Sequence, residues 1–222
     1  MKISESTFEV LKNFSTINPS LSFKTGNVLR TVSPQKNILA SAVVSESFPQ
    51  DFAIYEMNQF LGLTSLFEDA VFDFGSSSLT VSEASQPSSQ CRYTYTDPSM
   101  ITSPPEKNLE LPDPEVQFDM TAANYKKVVN AANQLSLPEV VVRGSDGTVS
   151  LVATDTKNPT SNEFGLSVGN TEAEFEFIFK TENLKFMSDD YKVSVSSKGI
   201  SHFLGSVVEY WVATEAGSKY NG

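Results

Sequence analysis

The sequence predicts an α+β protein of two similar domains, because the second half of the chain repeats the order of elements in the first. An amphipathic helix is predicted over residues 6–17 and again over residues 120–135. A strand that leads directly into a helix is predicted over residues 53–63 and again over 177–187. A repeat this long indicates a duplicated domain, since solenoid repeats run to about 20–50 residues. Helices that come singly between antiparallel strands would cover one face of a sheet.

The first helix of one half aligns with the first helix of the other half at one fixed spacing along the sequence. The aligned pairs are Thr7 with Thr121, Leu11 with Tyr125, Lys12 with Lys126 and Phe14 with Val128. The two strand-to-helix joins align at a spacing ten residues larger, and an insertion at residues 155–163 accounts for the difference. A chain of 222 residues is long enough for two domains that each bury a core.

The first half is expected to open with a capped helix. Ser4 or Ser6 is the predicted N-cap, and Glu9 stands three residues after Ser6, as in a capping box. A second helix is predicted over residues 56–66. Runs of apolar and alternating residues predict strands over residues 20–24, 28–32, 37–44, 51–55, 70–75, 78–83 and 91–96.

The second half follows the same plan after its first helix. An Asp146-Gly147 pair predicts a hairpin turn, and a short fourth helix is predicted over residues 181–187. The strand over residues 172–180 alternates, and one face is expected to be core: Phe175, Phe177 and Phe179. The other strands are predicted over residues 138–144, 148–154, 163–169, 191–197, 199–205 and 207–214.

A proline-rich segment separates the halves. It holds five of the 11 prolines, and proline disfavours helix in the residue before it. We therefore predict a first domain at 1–96, an extended connector at 97–114 and a second domain at 115–222. The connector is too apolar for a free tether and is expected to lie along a surface.

The composition excludes most catalytic chemistries. One cysteine, Cys91, and one histidine, His202, rule out thiolate zinc sites, histidine-rich metal sites and Cys/His dyads. No G-x-S-x-G, phosphate-cradling glycine loop or H-E-x-x-H motif occurs. A hydrolase using His202 would need a nucleophile and an acid to converge on its strand. The sequence therefore indicates a protein that is not an enzyme, with no metal and no cofactor. No stretch is apolar enough for a membrane span, so no membrane role is expected.

The net charge of −11 argues against a conventional nucleic-acid binder, which usually has a basic face. The distribution of charge qualifies that argument. The helix over residues 121–135 carries Lys126 and Lys127 and no acidic residue. The acids gather on predicted strands and loops instead.

Two N-terminal segments resemble a known family. MKISESTFEVLKNFSTIN (residues 1–18) and DFAIYEMNQFLG (residues 51–62) resemble the sliding clamps of T-even-like tailed phages, which are DNA polymerase processivity factors. The resemblance extends over the whole length by order and pattern. It implies the DNA-clamp fold, with two similar domains per chain, each of two helices packed on antiparallel sheets. It also implies a ring-shaped homotrimer around duplex DNA.

The resemblance implies three sets of site residues. The DNA-facing residues would be Lys12, Lys126, Lys127 and Lys185. The subunit interface would join residues 90–96 to a neighbour's strand 163–170, through Arg92, Tyr93, Tyr95, Leu166 and Val168. The groove for partner peptides would contain Met100, Ile101, Leu109, Leu111, Val212 and Ala213.

The family also implies partners. These are sequence-independent duplex DNA, the C-terminal tail of the replicative polymerase, an ATP-dependent clamp loader and late-transcription factors, since the clamp would track along DNA as a co-activator of late viral transcription. The setting would be the cytoplasm of an infected bacterial host. The alternative is a β-rich trimeric virion or adhesion protein with no DNA role, which the acidity and the Ser/Thr-rich loops favour. Helices at matching places in both halves favour the clamp.

Overall fold

The computed structural model describes residues 1–105 and 110–222 and divides the chain into two compact units, Met1–Glu106 and Lys107–Gly222. The first unit contains α1 (Glu5–Ile17), β1 (Leu21–Phe23), β2 (Gly26–Val32), β3 (Ile38–Phe48), β4 (Phe52–Ile54), α2 (Met57–Thr64), β5 (Ala70–Phe74), β6 (Ser78–Glu83) and β7 (Gln90–Thr94). The second contains β8 (Val116–Met120), α3 (Ala122–Gln134), β9 (Glu139–Ser145), β10 (Thr148–Thr154), β11 (Phe164–Asn170), β12 (Phe175–Lys180), β13 (Tyr191–Ser196), β14 (Ile200–Leu204), β15 (Val208–Ala213) and β16 (Lys219–Tyr220). The narrower domain bounds and the connector at 97–114 stay a prediction.

In the first unit, α1 packs against α2 and β3. The strands are antiparallel: β1 pairs with β4, β2 with β3, and β5, β6 and β7 form one sheet in that order. Val10, Leu11 and Phe14 bury the apolar stripe of α1, as its periodicity predicts. The two helices and the strands predicted for the first half are all present.

The start of α1 is capped by a different residue from the one the capping-box pattern indicates. Ser4 is the N-cap, and its side chain accepts a hydrogen bond from the Thr7 N–H at 3.3 Å. Glu46, on β3, accepts from the Ser4 N–H at 2.7 Å and from the Thr7 hydroxyl. Glu9 pairs with Lys12 instead. The predicted Ser6–Glu9 box is therefore wrong, because an acid from a distant strand performs that role.

Glu46 should make the stability of α1 depend on pH. Burial would raise the pKa of its carboxyl, but the hydrogen bonds from Thr7 and Ser4 outweigh burial and lower the pKa to about 2, against 4.5 for an unperturbed glutamate. The contribution is complete above pH 4.5 and is lost as the pH falls from 4.5 to 2. We expect Glu46→Gln to cost about 1 kcal/mol at pH 7, measured by thermal unfolding and by hydrogen exchange in α1.

The matched control for this prediction is Glu68→Gln, because Glu68 is exposed on the loop after α2. The difference between wild type and Glu46→Gln should shrink toward pH 2, whereas Glu68→Gln should match wild type throughout. An equal cost for Glu46→Gln at pH 7 and pH 2.5 would show that the ionised carboxylate does not stabilise the helix.

In the second unit, β11, β10, β9, β12 and β16 form one antiparallel sheet in that order, and β15, β14, β13 and β8 follow one another in a second. Asp146 and Gly147 have φ of 50° and 78° between β9 and β10, as the mirror-image turn of a tight hairpin requires. The face of β12 that was expected to be core is buried: Phe175, Phe177 and Phe179. That prediction is confirmed, and the loop at 155–163 lies between β10 and β11 as expected.

The prediction of a fourth helix over residues 181–187 is wrong. Only a 3-10 turn, Thr181–Asn183, forms after β12. The chain beyond it is irregular, because tertiary hydrogen bonds replace helical ones. The Tyr125 hydroxyl, on α3, donates to the Leu184 carbonyl at 2.8 Å and accepts from the Phe186 N–H at 3.0 Å. Burial raises the pKa of Tyr125 to about 12, so the hydroxyl keeps the proton that it donates.

The duplication survives in the burial of α1 and α3, which are both 13 residues long. At the predicted spacing, the core pairs are buried in both helices and the lysine pair is exposed in both: Leu11 with Tyr125, Phe14 with Val128, and Lys12 with Lys126. The starts differ. Thr121 caps α3, whereas its aligned residue Thr7 is buried inside α1. The halves thus share a packing pattern but not a capping pattern.

Candidate functional site

The exposed faces of α1 and α3 carry opposite charge. Along α1 the most exposed residues form one stripe: Glu5, Glu9, Lys12 and Thr16. The Lys12 Nζ lies 2.7 Å from the Glu9 Oε1, so the only lysine of that helix is paired. On α3, Lys126 and Lys127 are exposed and the helix has no acid. Within residues 1–105 and 110–222, neither lysine has an ion-pair partner.

Lys185 does not lie on a helix. It stands in the irregular segment after the 3-10 turn, between the buried Leu184 and Phe186, and is half-buried. The structure therefore places three of the four predicted DNA-facing lysines on the two long helices. The fourth, Lys185, was predicted on a helix that does not form. Their contact with DNA stays a prediction.

The strand β7 is an open edge of the sheet of the first unit. It pairs with β6 alone among the described strands. Tyr93 lies opposite the buried Leu79 and is half-buried, and its ring meets that of Phe60, on α2, edge to face at 5.4 Å. Burial and the charge of Glu56 raise the pKa of Tyr93. The side of this edge that faces α2 is therefore apolar and incompletely covered.

The other two predicted interface residues of the first unit differ from Tyr93. Arg92 alternates with Tyr93 and is exposed on the opposite face of β7. Tyr95 lies just beyond the end of β7, where its ring packs on Phe52 at 5.0 Å and its N–H donates to the Ser77 carbonyl. Tyr93 is thus the member of this set that presents apolar surface on the helix side.

The strand β11 is an open edge of the second unit, with the same arrangement. It pairs with β10 alone within the described part of the chain, and α3 packs against both strands. Leu166 lies opposite the buried Leu151 and is half-buried, as is Val168 two residues further on. Each unit therefore has an edge strand, β7 or β11, that is paired on one side only among the described strands. Each of these strands carries half-buried apolar residues beside a helix.

The predicted peptide groove is only partly exposed. Met100 is 64% exposed at the end of a 3-10 turn, whereas Ile101 is 8% exposed. In the second unit Val212 is 0% exposed, and Leu111 and Ala213 are half-buried. Ile101 and Val212 are therefore not available as groove residues in this structure, because side chains inside the core cannot contact a peptide on the surface. The sixth residue, Leu109, lies outside the described residues.

Sequence reasoning missed a cavity of about 500 Å³ on the first unit, beside the connector. Hydrogen bonds hold the connector there: the Arg30 guanidinium donates to the Pro105 carbonyl at 3.0 Å, and the Ser103 hydroxyl donates to the Ser22 hydroxyl at 3.2 Å. The cavity wall on β1 and β2 includes Val28, which is 43% exposed. No sequence motif marks this wall, because it forms only when the connector folds back.

Within the described residues, the His202 ring contacts an acid but makes no hydrogen bond to a hydroxyl or thiol. Its Nε2 lies 3.0 Å from the Glu209 Oε2, and its ring stacks on Trp211 at 4.6 Å. Ser194 is its cross-strand neighbour, yet the described residues show no hydrogen bond between the two. The part of the chain that the structure describes also holds no cluster of three metal-ligating side chains, and no helix in it could cross a bilayer.

Two family models match the two units separately. The model described as DNA polymerase processivity factor matches residues 3–99, and the one described as gp45 sliding clamp, C terminal, matches residues 117–216. Among solved structures, the PCNA of A. fulgidus, bound to the C-terminal region of FEN-1, superposes with a TM-score of 0.68. The match is 18% identical and covers 98% of each chain. An identity that low shows the fold alone, and the fold is the DNA-clamp fold.

Closer relatives define the family. The sliding clamp of Vibrio phage KVP40 is 34% identical to this chain, over 97% of this chain and 100% of the relative. The sliding clamp of Enterobacteria phage T4 is 26% identical over 100% of both. The chain belongs to the sliding clamps of T4-like phages, which are DNA polymerase processivity factors. The predicted family and the two-domain α+β clamp fold are confirmed.

Proposed function

We propose that the chain assembles into a ring-shaped homotrimer that encircles duplex DNA and tethers the replicative polymerase for processive synthesis. The observation that carries this proposal is the pair of open edges. An unpaired edge strand is a template for pairing, and natural proteins cover such edges. If β7 of one subunit pairs with β11 of the next, both edges and their apolar residues, Tyr93, Leu166 and Val168, become buried. A head-to-tail contact of this kind generates a ring when the rotation closes.

The charge of the chain supports retention by topology. Three chains of −11 each carry −33, so most of the ring surface repels DNA. Tight phosphate binding would release counterions and hold the protein in place, which is the opposite of sliding. Two lysines on each α3, Lys126 and Lys127, are suited to weak contacts with DNA of any sequence. Retention then comes from closure of the ring.

A closed ring cannot thread itself onto circular DNA, so the proposal includes an ATP-dependent clamp loader that opens one joint. The polymerase would dock by its C-terminal tail beside the connector, where Met100 is exposed and the cavity next to Val28 offers apolar surface. Late-transcription factors would use the same clamp as a DNA-tracking co-activator. The protein would act, without enzymatic activity of its own, in the cytoplasm of the infected bacterial host.

The proposal predicts that retention depends on the topology of the DNA. With polymerase, loader and ATP, extension of a singly primed circle should become processive when this protein is added. Loaded protein should stay on a nicked circle during gel filtration and should leave once a restriction enzyme linearises the DNA. A linear duplex with both ends blocked by bulky proteins is the matched control, because it should retain the clamp. Equal retention on unblocked linear DNA and on the nicked circle would refute encirclement.

A further inference from the structure

The two halves of this chain are similar in fold but differ at one acidic position of the exposed helix faces. Glu9 lies three residues before Lys12 on α1. At the spacing that aligns Lys12 with Lys126, the residue aligned with Glu9 is Ala123. The lysine is therefore kept in both helices, whereas the acid is present in only one.

The geometry brings Glu9 and Lys12 into direct contact. Residues three apart on a helix lie on the same side, about 5–6 Å apart at their Cβ atoms. Here the Lys12 Nζ and the Glu9 Oε1 are 2.7 Å apart, and both side chains are more than half exposed. Such an exposed pair adds little to stability. Its main consequence is electrostatic, because the two charges cancel at any point further away than their own separation.

Phosphates near α1 and α3 would therefore meet different fields. Lys12 and Glu9 are 2.7 Å apart, so they act on a more distant phosphate as a dipole, whereas an unpaired lysine acts as a charge over about one Debye length, roughly 8 Å at physiological salt. The stripe of α1 also carries Glu5, which makes its formal charge negative. On α3, Lys126 and Lys127 add two positive charges to a face without acids. Asp190, an acid of the same unit, accepts a hydrogen bond from the Ala122 N–H at the start of the helix at 2.7 Å.

We infer that Glu9 is an intrahelical counter-ion that withdraws Lys12 from DNA, so that α3, and not α1, supplies most of the attraction of the clamp for the duplex. This inference rests on the proposed function and specifies which helices contact DNA. Half of the long helices around the duplex then present a face with almost no net attraction. A clamp with fewer attractive contacts slides with less friction, since each lysine–phosphate contact that forms must break before the protein moves.

The test uses Glu9→Gln, with Glu5→Gln as the matched control. Both variants add one positive unit to the same exposed stripe, but only Glu9→Gln releases Lys12. Affinity for a short fluorescent duplex should rise about 3-fold at low salt for each Lys12 of the trimer that gains a phosphate contact in Glu9→Gln, and the log–log salt slope should steepen by about 1 per contact. Glu5→Gln should change both quantities much less. Circular dichroism checks that α1 remains folded.

A double-mutant cycle isolates the role of Lys12. Lys12→Gln in the wild-type background leaves Glu9 without its counter-ion, so affinity should fall through one uncompensated negative charge, but the log–log salt slope should stay unchanged because the paired Lys12 makes no phosphate contact. Lys12→Gln in the Glu9→Gln background should remove the whole gain. The inference is wrong if Glu9→Gln and Glu5→Gln bind alike, or if Lys12→Gln alone lowers the salt slope as much as Lys126→Gln does.

A second measurement covers the case in which equilibrium binding is too weak to detect. Clamps loaded on a nicked circle are released by linearising the circle, and the half-time of release reports friction along DNA. Glu9→Gln should lengthen that half-time about 3-fold, and Lys12→Gln should restore it. Equal half-times would overturn the inference while leaving the ring intact. Failure of the proposed function would look different, since the wild type would then not be retained on the circle at all.

Discussion

Replacing Leu166 by aspartate should break the ring into single subunits. Leu166 is half-buried on the helix side of β11, opposite the buried Leu151, where the proposed joint would cover it. A charge placed there would lose its hydration when the joint forms, and this desolvation opposes association. A loss of at least about 2 kcal/mol per joint raises the dissociation constant about 30-fold. Mass photometry across a dilution series measures the change.

The matched control is Ser167→Asp, which adds the same charge to the same strand on its opposite, exposed face. It should assemble nearly as wild type does. Circular dichroism should show that both variants keep the folded second unit, because Leu166 is at an edge and not in the centre of the core. A wild-type chain that remains a lone subunit at every concentration would contradict the joint, as would an unchanged trimer in Leu166→Asp.

Replacing Lys126 and Lys127 together by glutamate should impair loading on DNA strongly without unfolding the protein. Both side chains are exposed, so the core of the second unit is unaffected. The face of each α3 changes from +2 to −2, which turns weak attraction for phosphates into repulsion. The loss of two phosphate contacts per subunit, with repulsion in their place, should lower the log–log salt slope and reduce the amount of loaded clamp on the order of tenfold. Gel filtration of clamps on nicked circles measures it.

The control for charge alone is Lys157→Glu with Lys219→Glu. These lysines are exposed in the second unit, on the loop after β10 and on β16, and the substitution changes net charge by the same amount. Loading of this variant should remain close to that of wild type. If both double variants load equally well or equally badly, the effect of Lys126 and Lys127 does not come from their position on α3, and the DNA-facing assignment is wrong.

Local signals in the sequence were sufficient for most elements of the fold. The helices α1 and α3 follow from their apolar periodicity, and the β9–β10 hairpin follows from Asp146-Gly147. The lysine stripe of α3 could be predicted because an exposed helix face needs only its own residues. The Glu9–Lys12 pair could also have been found, since three-residue spacing on a helix is a local signal.

The errors arose where distant segments compete with local preference. Residues 181–187 have a helical pattern, yet the Tyr125 hydroxyl takes up backbone groups that a helix would have used. Glu46 replaces Glu9 in capping α1 because the fold brings β3 to the start of the helix. Val212 was expected on the surface, but it lies on β15, which pairs with β14, and its side chain is buried.

Pattern alone therefore established the duplicated α+β layout, the acidic surface and the family, because each depends on residue order and composition. The open edges β7 and β11, the cavity beside the connector and the burial of individual side chains depended on folding. The physical reason is range: a helix face or a tight turn is set by residues a few positions apart. Which strand remains unpaired, and which polar group meets a distant partner, is set by contacts between residues far apart in the chain.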